Sequence, residues 1–408
     1  YGPVIALPVL GYGRVVAVAD PALAKQVFTA KPDVLLGGEG VGPAAAIYGR
    51  RSMFVLEEPE HLRRRKLLTP PLHGDILRSY VPAIEAATHS AMASWPSDSP
   101  VRMLDAGRDL TLDVIVQVIF GVHAAEDIER LGKPFADLLD LALSTETPIR
   151  YAARRLGTLR SWGTLRDVNR RIDDIVLPLI ARRRANAEPG RATDVLSMLV
   201  DARGEDGDQL SDNEIRADVI TLMLAGHETT ATTLAWLVDL LAHHPDVQRR
   251  VRAEIGTGRT DYTEAVINET LRLRPPAPIT GRMTAEKYRL GDYTLPAGTR
   301  IVLLLDAINR DPETYPDPDT FDPERFVGTR PNPYGWVPFG GGIKRCIGAS
   351  FSMCELSTIL HTMLAQAELR PASRRLESPA THAAPVIVPR HGAQVYVSPL
   401  SRPVEASA

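Results

Sequence analysis

The chain has 408 residues, a formal net charge of −3, and 44% hydrophobic and 24% charged residues, the composition of an ordinary globular protein. This charge gives no reason to expect nucleic acid as a partner, and no uncharged apolar run approaches the roughly 20 residues that span a bilayer. Two cysteines exclude a disulfide framework and fit a reducing cytosol, so we expect a cytoplasmic protein. The chain opens on Tyr1 without a signal-peptide pattern, and an anchor upstream of it would make the protein membrane-associated.

The first half of the chain predicts a β-hairpin followed by helices. Apolar residues over 4–19, interrupted by glycines, predict two strands, and Asp20-Pro21 predicts a capped helix that runs to about Thr29. The glycine-rich stretch 35–58 predicts a long irregular loop of the kind used for binding. Helical periodicity then predicts a set of helices at 61–68, 76–95, 104–120, 124–143 and 165–186.

The second half predicts one long helix and then strands. A capping box, Ser211-Asp-Asn-Glu214, predicts the start of a helix that continues to about His243. Further helices are predicted from Pro245 and over 262–273, and prolines then crowd the chain, which favours strands and loops. No internal repeat or flexible linker divides the sequence, so we expect a single domain over residues 1–408.

One cysteine stands in a glycine-rich turn just before an apolar helix predicted at 347–365. The run is Phe339-Gly-Gly-Gly342-Ile-Lys-Arg-Cys346-Ile-Gly348. A helix N-terminus favours negative charge and lowers the pKa of a cysteine placed there, so we expect a thiolate. The glycines let the backbone approach a flat cofactor, and a lone cysteinate ligand suits haem iron. A buried unpaired cysteine beside an ordinary glycine turn is the alternative.

The cysteine run resembles the haem-binding loop of the cytochrome P-450 superfamily, and the resemblance covers essentially the whole chain. It implies a mainly α fold, a triangular helical prism with haem b between the long central helix and the helix after the cysteine loop. It implies a small β-rich lobe from about 4–19, 277–305 and 384–398. It also implies that Cys346 ligates the iron and that the haem is bordered by Phe339, Gly340, Lys344 and Gly348. Lys344 departs from the pattern, which usually has Arg or His there.

The long predicted helix contains Ala225-Gly226-His227-Glu228-Thr229-Thr230, which resembles the oxygen-activation motif of the same family. The resemblance implies that Ala225 and Gly226 lie beside the haem and that Glu228 and Thr229 deliver protons to bound dioxygen. Close helix packing is the alternative for such small residues. A His-Glu-x-x-His zinc site is excluded, because Ala231 stands where the second histidine would be.

Other segments resemble the family's haem-propionate contacts and its buried ion network. His61 and Arg65 match one propionate-binding segment and Arg282 another. Three residues match structural supports of the cysteine loop: Glu269, Arg272 and Arg325. Basic residues near the cysteine side are expected to attract an acidic ferredoxin: Arg63, Arg64, Lys66, Lys344 and Arg345. By position in the fold, substrate is expected to contact residues 35–54, 148–160, 222, 225, 277–280 and 381–383.

The resemblance implies a haem-thiolate monooxygenase that inserts one oxygen atom from O2 into a lipophilic small molecule by hydroxylation or epoxidation. The sequence has no flavin or nicotinamide domain, so electrons are expected from a ferredoxin or flavodoxin with its reductase. We expect a monomer. Two alternatives stay open: a peroxide-using haem-thiolate enzyme or isomerase, which the Glu228-Thr229 pair disfavours, and a non-catalytic haem-binding sensor.

Overall fold

The computed structural model describes residues 2–9, 13–41, 45–144, 163–186, 192–380 and 386–400. The helices there are α1 (Pro21–Thr29), α2 (Gly37–Gly40), α3 (Ala45–Tyr48), α4 (Glu60–Leu68), α5 (Leu77–Ser94), α6 (Met103–Phe120), α7 (Ala125–Leu143), α8 (Gly163–Ala185), α9 (Val195–Asp201), α10 (Asp212–His243), α11 (Pro245–Glu254), α12 (Asp261–Leu273), α13 (Leu305–Ile308) and α14 (Ala349–Gln366). The strands are β1 (Val4–Val9), β2 (Gly13–Val18), β3 (Leu35–Leu36), β4 (Val101–Arg102), β5 (Ile279–Thr284), β6 (Tyr288–Leu290), β7 (Tyr293–Leu295), β8 (Arg300–Leu304), β9 (Ala367–Pro371) and β10 (Gln394–Pro399).

The fold is mainly helical with small sheets, which confirms the fold class expected from the sequence. Most predicted helices begin and end within a few residues of the expected positions. The helix α1 begins after Asp20, whose carboxylate accepts a hydrogen bond from the Leu23 N–H at 2.7 Å, as the predicted cap requires. Among the described residues, no helix is both long and apolar enough to cross a membrane.

A five-stranded sheet joins the first two segments that the sequence assigns to a β-rich lobe. Its strand order is β1-β2-β8-β5-β3, in which β2 and β8 run parallel and the other neighbours antiparallel. Val16 and Val18 of β2 alternate with more exposed residues and pack on Ile301 and Leu303 of β8. The two-stranded sheet of β6 and β7 lies between β5 and β8 in the chain.

The third predicted segment, at 384–398, contributes its strand to a different sheet. Strand β10 forms the centre of a three-stranded sheet with the order β4-β10-β9, where Val395 pairs with both Val101 and Pro371. This segment therefore joins a sheet separate from that of the first two segments. The reason is that β9, which was not predicted, directly follows α14 and offers β10 a long antiparallel partner.

The glycine-rich stretch 35–58 is more regular than the loop that the sequence predicts. It contains β3, α2 and α3, and α2 packs against β5. A Cβ atom added to Gly40 would lie only 2.4 Å from the carbonyl oxygen of Gly281. These glycines therefore serve close packing of two backbones, and the segment is held on the sheet.

The short helix α9 was also missed by the sequence analysis, although the Asp194 carboxylate caps it.

The long helix α10 lies at the centre of the helical part, packed on α6. Its predicted capping box is confirmed, since the Glu214 N–H donates to Ser211 Oγ at 3.4 Å and the Ser211 N–H to Glu214 Oε2 at 2.7 Å. Almost every residue over 217–242 is buried. With so few exposed positions, α10 lies inside the protein, and its buried charged side chains, such as Asp218 and Glu228, need partners there.

The predicted buried ion network is confirmed around α12. Arg272 Nε lies 2.6 Å from Glu269 Oε2, and both side chains are fully buried. Arg325 Nε lies 3.6 Å from Glu269 Oε1, which also accepts a hydrogen bond from the Asp322 N–H at 2.8 Å. The carboxylate of Glu269 therefore anchors the segment around Asp322 to α12. This role is structural and not catalytic.

Candidate functional site

Cys346 lies three residues before α14 begins at Ala349. The turn of its loop is closed by the Cys346 N–H, which donates to the carbonyl oxygen of Phe339 at 2.9 Å. Gly340 and Gly342 have φ angles of 65° and 66°, a left-handed conformation that favours glycine. A Cβ atom on Gly342 would in addition lie 2.2 Å from the carbonyl oxygen of Phe28. The glycine run therefore sets the position of the cysteine by both backbone angle and close packing.

Cys346 as a whole residue is exposed to solvent, but protein atoms surround its thiol group closely enough to desolvate it. This burial raises the pKa of the thiol, while the Gly348 N–H and the charges of Arg345 and Arg65 oppose the rise. The prediction of a lowered pKa is therefore wrong for the polypeptide itself, because desolvation outweighs the helix end and the two cations. A bound metal ion would reverse this balance, since a coordinating thiol is deprotonated outright.

Four basic side chains predicted to bind a cofactor lie within electrostatic reach of one another. Burial lowers the pKa of Lys344 to about 8, with Arg282 and Arg65 adding to the effect against Glu57. Burial, followed by the charge of Lys344, lowers the pKa of His61. Burial also lowers the pKa of Arg282 to about 10. Each positive charge is thus disfavoured by its surroundings, and an anion placed among them would relieve the cost.

Hydrogen bonds tie these cations to the cysteine loop and to its neighbours. Arg65 Nη1 donates to the carbonyl oxygen of Arg345 at 2.7 Å, and Arg282 Nη2 donates to that of Gly341 at 3.1 Å. Lys344 Nζ donates to a backbone carbonyl of the segment before α4, and its stem passes over Gly37. A Cβ atom on Gly37 would lie 2.6 Å from Lys344 Cε, so this glycine makes room for the lysine.

His61 is held by a carboxylate that the sequence analysis did not select. Its Nδ1 lies 2.7 Å from Glu58 Oε1, and its ring is almost fully buried on α4. This bond fixes the ring orientation and leaves Nε2 as the atom for a further partner. The i, i+3 spacing of Glu58 and His61 is the signal that could have identified the pair.

A narrow open face interrupts the buried surface of α10. Over residues 217–242, the positions that are not buried are Ala225, Gly226 and Thr229. These three residues lie on one face of the helix, and we call them the α10 stripe. Thr229 Oγ1 donates to the carbonyl oxygen of Ala225 at 2.6 Å. Gly226 also serves helix packing, because a Cβ atom there would lie 3.2 Å from Ile115 Cδ1 of α6.

Glu228, the predicted partner of Thr229, lies in different surroundings. Its carboxylate is buried and forms an ion pair with Arg108 of α6. Arg108 was not selected from the sequence, because it lies 120 positions before its partner and no local pattern marks it. His227 also contacts this helix, with Nε2 lying 2.8 Å from the carbonyl oxygen of Arg108. Thr229 is therefore on the accessible face of α10, whereas the carboxylate of Glu228 faces α6.

Two contacts join the region of α4 to the long helix within about two turns before the α10 stripe. Ser52 Oγ and Thr221 Oγ1 lie 2.7 Å apart, and both side chains are buried. Arg64 of α4 forms a buried ion pair with Asp218 of α10. Burial raises the pKa of Asp218 to about 6, while the charge of Arg64 opposes the rise. These contacts fix α4, which carries His61, against α10.

Phe339 is held at the start of the cysteine loop by ring contacts. Its centroid lies 5.8 Å from that of Trp336 in an edge arrangement, and the Arg345 guanidinium lies 5.9 Å away. Trp336 Nε1 donates to the carbonyl oxygen of Asn268 at 3.0 Å, next to the buried Glu269. The loop is thereby connected to the ion network of α12.

The basic residues expected to attract a ferredoxin are largely neutralised within the fold. Arg63 and Arg64 both pair with Glu214, at 3.0 and 3.4 Å, and Arg64 is buried. Lys66 pairs with Glu205 at 2.7 Å, and both side chains are exposed. The expectation of a free basic patch is therefore wrong for these three cations, because carboxylates from distant segments meet them.

The structure describes only some of the segments that are expected to contact a substrate. Phe54 and Ile279 expose 40% and 51% of their surface, whereas Leu222 is buried. The Phe54 ring packs on Tyr48, with centroids 5.1 Å apart. The expected substrate segments 148–160 and 381–383 lie outside the described residues.

The arrangement fits a planar iron cofactor with two carboxylates. The four cations supply partners for the carboxylates, and Cys346 supplies a thiol ligand. A Cβ atom on Gly348 would meet no protein atom within 4 Å, so the side of the loop next to the cysteine offers space for a ring. The residues present therefore match the donor set and shape that haem requires.

Comparison with known proteins gives the same family along nearly the whole chain. The family described as Cytochrome P450 matches residues 1–397. Cytochrome P450 137 of Mycobacterium tuberculosis is 59% identical over 399 residues, which cover 98% of this chain and 84% of that protein. Cytochrome P450 138 of Mycobacterium bovis is 36% identical and covers 89% of this chain and 82% of that protein.

A solved structure supports the fold independently. The retinoic-acid-bound cyanobacterial CYP120A1 superposes with a TM-score of 0.85 at 22% sequence identity, covering 98% of this chain and 92% of that chain. At this identity the likeness concerns the fold, and it confirms the cytochrome P450 fold. Family membership implies haem with cysteine thiolate ligation. The chain belongs to the cytochrome P450 family and is a monooxygenase, an oxidoreductase.

Proposed function

We propose that this monooxygenase inserts one oxygen atom from O2 into a lipophilic small molecule, by hydroxylation or epoxidation, on haem b ligated by Cys346. The observation that carries the proposal is the α10 stripe. Ala225, Gly226 and Thr229 leave an accessible face on a helix that is otherwise buried over residues 217–242. Such a face of small residues with one hydroxyl gives a small ligand room and a hydrogen-bonding group.

The cofactor would be held by the cations and glycines around the cysteine loop. His61, Arg65, Arg282 and Lys344 would bind its propionates, and the buried guanidinium of Arg282 suits a bidentate contact. Phe339, Gly340 and Gly348 would border its ring. When bound, haem supplies the oxidation chemistry, while the protein supplies access, orientation and protons.

Thr229 and Glu228 are proposed to deliver protons. Thr229 Oγ1 lies on the α10 stripe and can hold a proton there, because its hydroxyl both donates and accepts. Glu228 can relay a proton to this region only when Arg108 releases its carboxylate, since both oxygens are engaged in the ion pair. Thr229 is therefore the group that positions the proton, and Glu228 is a conditional source.

Electrons are proposed to come from a ferredoxin or a flavodoxin with its reductase. On the cysteine side of the fold, Leu62 of α4 and Ile343 of the cysteine loop expose 46% and 41% of their surface. Because Arg63, Arg64 and Lys66 are paired with carboxylates, we propose that apolar contact contributes more to docking than net charge. We further propose a cytoplasmic monomer with a single domain over residues 1–408; both cysteines are free thiols, which fits a reducing compartment.

Isotope labelling tests the reaction directly. Lipophilic compounds that shift the Soret band are incubated with the holoenzyme, NADPH, a ferredoxin and its reductase under ¹⁸O2, and the products are analysed by mass spectrometry. The proposal predicts one ¹⁸O atom in each product molecule. Product formed with hydrogen peroxide alone, and none with O2 and NADPH, would assign the chain to the peroxide-using class instead. Ligand binding without any turnover would favour a sensor.

A further inference from the structure

A short acidic hairpin between α9 and α10 lies against α4. The hairpin spans residues 203–209, and an antiparallel bridge joins its two ends. The Gly204 N–H donates to the carbonyl oxygen of Asp208 at 2.8 Å, and Gly207 has a φ angle of 77°, which suits the tip of a tight turn. A Cβ atom on Gly204 would lie 1.9 Å from Asp208 Oδ1, so this glycine makes room for the carboxylate. The backbone of the hairpin therefore sets the position of Asp208.

Two carboxylates of the hairpin meet the cations of α4. Asp208 Oδ2 accepts a hydrogen bond from Arg63 Nε at 2.6 Å, and Glu205 Oε1 accepts one from Lys66 Nζ at 2.7 Å. Arg63 Nη2 also donates to the backbone carbonyl oxygen of Gln209 at 3.4 Å. The hairpin thus occupies the positions that the carboxylates of a separate acidic protein would need.

The ion-pair network at this edge of α4 contains more negative than positive groups. Its cations are Arg63, Arg64 and Lys66, and its carboxylates are Glu60, Glu205, Asp208, Glu214 and Asp218. Three cations therefore face five carboxylates, an excess of two negative charges when all are ionised. Because the sum is negative, this edge repels an acidic protein and attracts a basic one.

The hairpin lies beside the apolar surface formed by Leu62 and Ile343, which we call the docking surface. Leu62 and Lys66 are four positions apart on α4 and so share one side of the helix. Glu205, which is paired with Lys66, therefore borders the docking surface at the hairpin. At the cysteine loop, Arg345 is exposed two residues after Ile343. The docking surface thus has an acidic margin at the hairpin and a cationic margin at the cysteine loop.

We propose that the acidic hairpin selects the redox protein that delivers electrons. It keeps strongly acidic proteins off the docking surface and binds a partner that places a basic residue opposite Glu205 and Asp208. This inference rests on the proposed supply of electrons by a separate redox protein. Apolar contact at Leu62 and Ile343 provides affinity, while like charges placed opposite each other exclude the wrong partner.

Electron transfer under carbon monoxide tests the selection without any oxygenated product. A reduced acidic ferredoxin, and a variant of it with lysine in place of several exposed carboxylates, are each mixed with the ferric holoenzyme. The appearance of the ferrous carbon monoxide complex gives the rate. In Glu205→Gln/Asp208→Asn the rate should rise with the acidic form and fall with the lysine form. We expect the ratio of the two rates to change about fivefold at about 0.1 M ionic strength, and less at about 1 M.

A second double variant removes the same net charge elsewhere on the protein. Asp167→Asn/Asp292→Asn opens exposed ion pairs with Arg170 and Arg289, which lie outside α4 and the hairpin. This variant should change the ratio less than about twofold, because salt screens charges that are far from the docking surface. An equal change of ratio in both double variants, or an unchanged ratio in the hairpin variant, would overturn the proposal.

The outcomes separate this inference from the proposed function. Reduction by both ferredoxin forms at a ratio that does not depend on the hairpin overturns the inference alone. Reduction by neither form overturns the inference together with the proposed electron supply. A ratio that depends on the hairpin, without oxygenated product in the ¹⁸O2 experiment, supports the selection and contradicts the proposed function. The ferrous carbon monoxide spectrum of each variant checks that its haem site is intact.

Discussion

Arg108 holds both carboxylate oxygens of Glu228: its Nε lies 2.8 Å from Oε2 and its Nη2 lies 2.5 Å from Oε1. The glutamate side chain is 2% exposed and the arginine side chain 34%. The pair joins α6 to α10 one residue before Thr229. The acid and the alcohol that the sequence places side by side therefore point into different surroundings, and a proton route through Glu228 depends on the movement of Arg108.

Removal of Arg108 should destabilise the protein and, at the same time, free the acid. Arg108→Gln leaves a buried carboxylate without its cation, which we expect to cost about 2 kcal/mol. Urea denaturation of the holoprotein measures the loss as a lower midpoint. The double variant with Glu228→Gln should recover most of it, because no charge is then left unpaired. Equal midpoints for Arg108→Gln and the unsubstituted protein would show that the pair does not hold in solution.

Thr229→Val should separate electron consumption from product formation. The hydroxyl that donates to Ala225 is lost while the side-chain volume is kept, so haem and substrate should still bind. We expect more hydrogen peroxide per product molecule, with the product-forming step slower by about 100-fold. Thr88→Val is the control, because it removes the same type of hydroxyl-to-carbonyl bond, 2.7 Å long, from α5. A fully coupled Thr229→Val would contradict the role of this hydroxyl.

The buried acid Glu355 should make stability depend on pH. Burial raises its pKa from 4.5 to about 8, so between these values the folded protein binds a proton that the unfolded chain has lost. The contribution of Glu355 to the free energy of unfolding is complete below the pKa of the unfolded chain, 4.5. It is lost as the pH rises through the pKa of the folded protein, about 8. Urea midpoints should therefore fall further with pH in the unsubstituted protein than in Glu355→Gln. A constant difference between the two across this range would contradict the raised pKa.

Reduction by an acidic ferredoxin should depend only weakly on salt. Arg63 and Lys66 of α4 are paired with carboxylates, so electrostatic steering by these residues should contribute less than about tenfold to the association rate. Stopped-flow reduction rates at several ionic strengths measure this. Glu205→Gln is a matched variant, because it frees the exposed Lys66 and should increase both the rate and its salt dependence. A steep fall in the rate of the unsubstituted protein would show that the ion pairs open on docking.

Local sequence patterns predicted the parts of the site whose partners are close along the chain. The capping box of Ser211 and Glu214 fixed the start of α10, and with it the register that places Ala225, Gly226 and Thr229 on one face. The glycine turn likewise identified the cysteine loop. In both cases the backbone conformation is determined by residues within a few positions of one another, so the pattern contains the necessary information.

The remaining features depend on contacts between distant segments. Arg108 meets Glu228 across 120 positions, and nothing near either residue marks the other. The pKa of the Cys346 thiol is set by a competition in which burial outweighs the helix end, and burial is known only from the packed fold. In the sequence, Glu355 is one of several polar residues of α14, and nothing near it distinguishes it from a glutamate on a helix surface. Its full burial gives it chemical meaning.

Thiolate ligation by Cys346 is tested most directly by the absorption spectrum of the ferrous carbon monoxide complex. The unsubstituted protein should show the strongly red-shifted Soret band of a thiolate-ligated haem. Cys346→Ser should lose this band, whereas Cys354→Ser should keep it, because Cys354 lies on α14 and its sulfur contacts the carbonyl oxygen of Leu77. Loss of the band in Cys354→Ser, with the band kept in Cys346→Ser, would contradict the account of the site.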